Sequence, residues 1–595
     1  MSHAPAGAEK PVLECTFDEP PENQPGNDAP KNKYEKLESR IAELEGLLRQ
    51  KDHGSETSAS PSIPALSSYD DLRPPNEAAS AQSRISHNGS PEISIVSSAA
   101  RAASGMGLGG DLGMDMVWSH WPPNLPGAEL LKHLVDAFFV FQPHARRLFH
   151  YSTFMACLAL PPSHPKFPSV PVLHGICAVG ALFTAAVSSP PPLRFEDVSP
   201  EEIFAQRRRL REDRPDTFAE IQARFAKEAA NELEYLGRDL VQVLQTNILL
   251  CWYYWPSTSP SYICSELHHN FSLISNLAGP SYSSILHILC VFSVVPAAKS
   301  VVEDETRRNA FWFAYAIERQ YGFSNAWALS MDDQDISQLL PVREDQFERG
   351  ILVPPKERQW AHTPGLLRNH TDGQVDPFIL YMKACVLMSK VKTFNLRFRA
   401  KHFAGEDASS APSPYIDEPI DPRRSQAFVD LDQIASNFLA LLPPDFKDPI
   451  QNDVVDSTLF SAIAMIHVSN IVLHEPHADV RRAGCISALK MLTAARAVID
   501  MVYAVWSTSF NISLFEPFMS FCFFLAGRVF ARFYQAAVEQ NSMEQMSTLS
   551  AEFNIVRTAC EQMGNRHRIA ACFAKMMDDL IVKAQGSSII NERPT

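Results

Sequence analysis

The chain has 595 residues, 45% of them hydrophobic and 10% aromatic. That is enough to bury a sizeable core, and at roughly 150 residues per domain it allows up to about four units; a chain disordered or fibrous throughout is excluded. With 53 Lys and Arg against 68 Asp and Glu, the formal net charge is −15, which argues against coating nucleic acid or anionic membrane with the whole surface. A small basic module would be hidden in that average.

Residues 1–30 are rich in Pro and acidic residues and show no periodicity. Their opening, MSHAPAGAEKP, lacks the apolar stretch of a signal peptide. A dense helical pattern follows at 31–51. Tyr34, Leu37, Ile41, Leu44 and Leu48 recur in steps of three and four, the a and d positions of a heptad. Lys33 and Arg40 then fall at g, and Glu38 and Glu45 at e. In a parallel dimer Lys33 faces Glu38 of the second copy and Arg40 faces Glu45, both opposite in sign. The alternative is an amphipathic helix lying on the globular part. Two heptads are short for a stable coiled coil on their own.

Residues 52–117 turn to Ser, Ala, Pro and Gly and read as a disordered linker. From 118 to about 585 the chain reads as globular, interrupted by a surface loop at 404–424, with 586–595 as a tail. The globular part reads as helices. Leu131, Leu134, Val135, Phe138 and Phe141 share one face, as do Phe218, Ile221, Phe225, Leu233 and Leu236, then Phe428, Leu431, Ala435, Phe438 and Leu442. Leu459 to Leu473 is apolar nearly all round, as a central buried helix would be. Strand-like alternation is scarce and no short repeat is visible. The expected fold is all-α, an irregular multi-helix domain. Eleven cysteines without a CxxC pair read as buried thiols in a reducing compartment. The strongest apolar run, Pro517 to Gly527, is eleven residues where a membrane span needs about 20. A soluble intracellular chain without a membrane partner is expected.

Several chemical motifs come close and fail. Gly105, Gly107 and Gly110 satisfy G-x-G-x-x-G, but a Ser/Ala-rich linker stands where the dinucleotide site needs a strand. Asp332, Asp333 and Asp335 invite a magnesium–diphosphate reading, yet position i+4 is Ile336, so a cap or turn is expected. Ser324 lacks the second Gly of a nucleophile elbow. His467, His474 and His477 have no carboxylate or Cys at ligand spacing and read as packing residues. RRRLR at 207–211 fits either a nuclear-import patch or a solvated helix face. No catalytic constellation emerges, so an enzyme is not expected.

The tract KPVLECTFDEPP followed by YEKLESRIAELEGLLR resembles the end of a fungal binuclear zinc-cluster module: last cysteine, linker, dimerisation helix. WPPNLPGAELLKHLVDAFF, FHYSTFM, FPSVPVLHGICAVGALF and EDETRRNAFWFAYAIERQ…WALSMDDQDISQLLP are similar to the fungal-specific (xylanolytic-activator-type) regulatory domain of the same transcription regulators. The resemblance implies a nuclear regulator of RNA polymerase II genes that binds zinc and DNA, dimerises, and works with the transcription machinery. Two departures stand out. Only Cys15 matches a zinc ligand; where the fifth cysteine belongs, with six to eight residues intervening, stand Ala6, Gly7 and Ala8. One thiolate cannot close a four-coordinate zinc site, so zinc and tight DNA binding are implied by the resemblance but unsupported by the ligands present. Residues 264–296 also depart from the expected helix. The alternative reading is a DNA-binding-deficient partner that heterodimerises with, and modulates, a complete zinc-cluster regulator.

One further expectation concerns ETRRNAFWFAYAIERQ. Phe311 and Trp312 belong to a broad apolar face, so the helix should be deeply packed. Arg308 stands one turn after Asp304, the order that supports a helix. Arg307 and Arg308 are expected to pair with carboxylates of the domain, with the Asp332–Asp335 cluster as candidate partner, since a guanidinium can grip a carboxylate in two places.

Overall fold

Helix formation in this chain follows its apolar residues. In the computed structural model the described residues are 121–188, 215–256, 296–324, 329, 331–404 and 425–591, with the side chains of 372, 398–404 and 586–591 left aside. All lie in the second of the chain's two units, Gly109–Thr595; the first, Met1–Leu108, lies outside the described residues. So do the heptad helix, the glycine motif, the 207–211 patch, residues 264–295 and 405–424 of the loop.

The fold is all-α. Its helices in chain order are α1 (Ala128–Phe141), α2 (Ala145–Leu148), α3 (Tyr151–Leu158), α4 (Val170–Gly180), α5 (Phe218–Tyr235), α6 (Leu240–Tyr254), α7 (Val301–Ser324), α8 (Glu344–Glu348) and α9 (Pro377–Ala404). They continue with α10 (Gln426–Asn437), α11 (Ser457–His474), α12 (Ile486–Trp506), α13 (Phe518–Glu539), α14 (Met543–Gly564) and α15 (Arg568–Asn591). Among the described residues the β-structure is one antiparallel pair, Ile450–Gln451 with Val454–Val455, and an isolated bridge between Leu339 and Trp360.

Two helices form the centre. Helix α11 is buried on almost every side, from Leu459 to His474, and Asp456 caps it by accepting from Thr458 and Leu459 N–H. Helix α13 buries Phe518 to Gly527 without a break. By length and hydropathy both are capable of crossing a membrane, but 72% of each apolar window is buried inside the fold. The eleven-residue run seen in the sequence thus understates α13, whose apolar face continues past Arg528 to Tyr534 and Ala537.

Around them α9 and α12 pack on α11, and α14 and α15 on α13, while α4, α5 and α6 form a second layer that meets α7 through α6. Distant segments of this unit interlock. Arg566, between α14 and α15, donates to the carbonyl of Leu182 and stacks over Phe183 at 4.9 Å, and Ile569 N–H bonds to the Pro256 carbonyl at 3.0 Å. Where α4 crosses α1, a Cβ on Gly180 would meet the Leu134 carbonyl oxygen at 2.5 Å, so only glycine permits that approach.

Two helical faces differ from expectation. In α1 Phe141 is exposed and Phe139 buried, because Phe141 is the helix's last residue and points out with the final turn. In α5 the fully buried face is Ala219, Gln222, Ala223, Ala226 and Ala230, while Phe218, Ile221, Phe225 and Leu233 are half-buried and Leu236 exposed. Small side chains let α4 and α6 approach closely, and the larger apolar residues flank that contact. The third face, Phe428 to Leu442, is buried as expected.

Candidate functional site

Helix α7 is unusual in what it buries. Its aromatic residues Phe311, Trp312, Phe313 and Tyr315 are in the core, but so are Glu305, Arg308, Glu318 and Arg319. Charges taken out of water are tolerated only when paired, and each of these four has a partner.

Glu305 is the centre of the first group. Arg308 reaches it with Nε at 3.1 Å, and Arg358 grips both oxygens with its two Nη atoms at 2.6 and 3.1 Å. Arg308 also bonds to Asp304 at 2.6 Å and to Gln338 Oε1 at 3.2 Å. Burial pushes the Glu305 carboxyl up, but the guanidiniums of Arg308 and Arg358 outweigh it and hold the group below the usual carboxylate range. The second group surrounds Arg319, which pairs with Glu318, bonds to Asp333 at 2.9 Å and to the Met331 carbonyl at 2.8 Å, and lies 4.3 Å over the Tyr315 ring. The Tyr315 hydroxyl donates to the same Asp333 oxygen at 2.9 Å.

The two arginines singled out in the sequence thus have different environments. Arg308 is buried, whereas Arg307 pairs with Glu303 near the surface. Both take carboxylates of the domain, as expected, but not the Asp332–Asp335 cluster. Asp333 pairs with Arg319, Asp332 with Arg397 at 3.0 Å, and Asp335 is exposed. The reason is direction. Residues 331–339 run antiparallel to α7, so the aspartates lie beside the last turns of the helix, while Gln338 and Leu339 lie beside Arg308 and Trp312. Asp332 also caps the short 3-10 turn Asp333–Asp335 by accepting from Gln334 N–H, the cap role that the sequence indicated.

Further buried cations were not legible as site residues. Arg147 pairs with Asp376 and donates to the Val342 carbonyl at 2.9 Å. Lys383, fully buried, donates to the Asn369 carbonyl at 2.6 Å and lies 3.2 Å from His370 Nδ1. What marks such residues in a sequence is a lone charge inside an apolar helix, as in FILYMKACVLM. Burial lowers the Lys383 pKa to about 7, and burial with Lys383 alongside lowers that of His370 to about 3. Between pH 7 and 10.5 the unfolded chain therefore holds a proton on Lys383 that the folded chain has released, so this residue makes stability rise with pH by up to about 1.4 kcal/mol per pH unit. Lys383→Met should lack that component. Between pH 7.5 and 9.5 the urea midpoint of wild type should rise relative to that of the variant; parallel curves would contradict the assignment.

His474, His477 and Ser324 bond and pack within the fold. His474 bonds to Asp432 at 3.0 Å and to Ser487 at 3.2 Å, and His474 and His477 both meet Phe428 edge-on. Asp432 feels burial, which lifts it, but His474 and Lys490 bring it down to about 2. Ser324 ends α7 and donates to the Tyr321 carbonyl. Among the described residues no group of three His, Cys, Asp or Glu is placed to hold a metal ion. An open cleft is lined by Arg343, Glu344, Asp345, Val375, Asp376, Asp445 and Phe446. Six of the described cysteines, including Cys177, Cys385 and Cys522, are buried free thiols.

No family profile matches the chain, and no solved structure does. The chain is similar, at 35% identity over 60 residues, to the Ascochitine biosynthesis cluster transcriptional regulator of Didymella fabae. Those residues are 10% of this chain and 10% of that protein, so the match spans about a tenth of the relative's length.

Proposed function

We propose that the chain is a nuclear transcription regulator whose helical unit governs an activation or repression function. The similarity to a fungal cluster transcriptional regulator carries this reading. The all-α unit agrees with it, and so does the packing of ETRRNAFWFAYAIERQ against MDDQDISQLLP, within the tracts on which the sequence resembles the fungal-specific regulatory domain. In this reading the chain performs no catalysis. Tethered upstream of an RNA polymerase II reporter through a heterologous DNA-binding module, the full chain should change transcription relative to the module alone. An unchanged reporter counts against the proposal.

A second reading is favoured by one observation: Cys15 is the sole cysteine among residues 1–156, and one thiolate does not close a zinc cluster. In this reading the 595 residues contact DNA through a complete zinc-cluster partner, joined by Tyr34, Leu37, Ile41, Leu44 and Leu48. At near-physiological salt the purified chain should give no sequence-specific mobility shift. A tight, sequence-specific shift by the chain alone would rule this reading out.

A further inference from the structure

Residues 331–376, between α7 and α9, form a 46-residue strap. Its longest helix is the five-residue α8. Stretches this long with so little regular structure are uncommon inside compact domains and are commonly functional.

Two features set the strap apart. The first is its backbone. Among the described residues, its backbone-to-backbone hydrogen bonds outside α8 stay within the strap, such as Leu340 to Gln359 and Ala361 to Gln338, both 2.8 Å; the exception is its last residue, Asp376, which accepts from Leu380 at the start of α9. No ladder among these residues ties it to the helices. It is held by apolar burial and by side-chain bonds, so it can part from them without losing its own internal turns. The second is where its first ten residues lie. Arg308, Trp312, Tyr315 and Arg319 stand at i, i+4, i+7 and i+11 of α7, one continuous face. Each bonds to the strap: Arg308 to Gln338, Trp312 Nε1 to the Leu339 carbonyl at 2.8 Å, Tyr315 to Asp333, and Arg319 to Met331 and Asp333. An aromatic strip ending in two arginines therefore holds a segment, Met331-Asp332-Asp333-Gln334-Asp335-Ile336-Ser337-Gln338-Leu339-Leu340, that carries three carboxylates and buries Ile336, Leu339 and Leu340.

We infer that this contact is autoinhibitory: Met331–Leu340 is an acidic–apolar interaction segment that α7 occupies in the resting state, and the strap undocks to offer it to a partner. The inference rests on the transcription-regulator reading. The partner surface has the chemistry of the α7 face, an apolar groove bordered by cationic side chains. Acidic residues interspersed with large apolar ones are the composition of segments that dock into such grooves. Opening frees the segment and rehydrates the buried guanidiniums that face it, which lowers the cost of release relative to purely apolar packing.

The test uses the full chain and Tyr315→Phe, which removes one hydrogen bond to a carboxylate and leaves the segment's sequence intact. Hydrogen exchange of 331–340 should proceed through an opening that leaves α9 and α11 protected, and the variant should speed it about tenfold. In the tethered reporter assay Tyr315→Phe should exceed wild type several-fold, and adding Asp332→Asn with Asp335→Asn, both at exposed positions, should abolish the gain. Exchange of 331–340 only together with α11 overturns the inference. So does a reporter that responds to the wild-type chain and gains nothing from the variant. A reporter unmoved by either chain, with release seen in exchange, instead removes the transcription reading on which the inference stands.

Discussion

Replacing Glu305 by Ala is expected to lower the stability of the helical unit by on the order of 3–5 kcal/mol, the range for breaking a buried ion pair from one side. The carboxylate is held by Arg308 and bidentately by Arg358, whose side chains are 3% and 7% exposed. Its removal leaves Arg358 with the Leu340 carbonyl and Arg308 with Asp304 and Gln338. Most of the loss is the penalty of an under-compensated buried charge rather than the worth of the pair. Arg307→Ala, one residue from Arg308, should change stability by less than about 1 kcal/mol, because its pair with Glu303 is near the surface and screened. Urea denaturation of both variants, followed by helical ellipticity, tests the contrast. A Glu305→Ala midpoint within error of wild type would refute the buried-layer account.

A second large effect is expected on acidification. His567 is buried, and burial together with Arg566 lowers its pKa to about 4; His370 is at about 3. Both folded values lie below the ordinary histidine value of about 6.5. The stability associated with their neutral form is fully present above pH 6.5 and is lost as pH falls towards 4 and 3, where the unfolded chain binds the protons first. Asp432, depressed to about 2, extends the loss below pH 4. A tenfold difference in proton affinity between folded and unfolded chain is worth about 1.4 kcal/mol at full effect, so stability should fall by several kcal/mol between pH 6.5 and 4. His567→Gln should flatten that fall by blunting one contributor. A stability curve level from pH 7 to 4 would sink the assignment.

The central helices were legible because their apolar residues recur without interruption: Leu459 to Leu473 reads as buried on every side, and it is. Helix α5 was located but its face was misjudged, since hydrophobic size marks Phe225 while packing selected Ala223 and Ala226. The strap left no periodic trace, because its residues are placed by cations on other elements, and a sequence does not show which carbonyl an arginine will find. That is also why Arg308 does not meet its candidate partner, the Asp332–Asp335 cluster, although both were singled out as structural residues. The antiparallel course of 331–339 along α7 sets the partners, and direction is a tertiary property. The heptad residues and Cys15, the basis of the dimer and zinc readings, lie outside the described residues.

The bond from Arg566 to Leu182 joins residues 384 positions apart. A ribosome adding roughly 5–20 residues per second needs about 20–80 s to travel that distance. For most of that interval the nascent α4–α6 layer exists without the helices that close it, exposing Trp255 and the end of α4 to chaperones and proteases. Folding of this unit therefore waits until its last helices have been made. A premature stop anywhere before α15 should yield a chain that is degraded, not a shortened regulator.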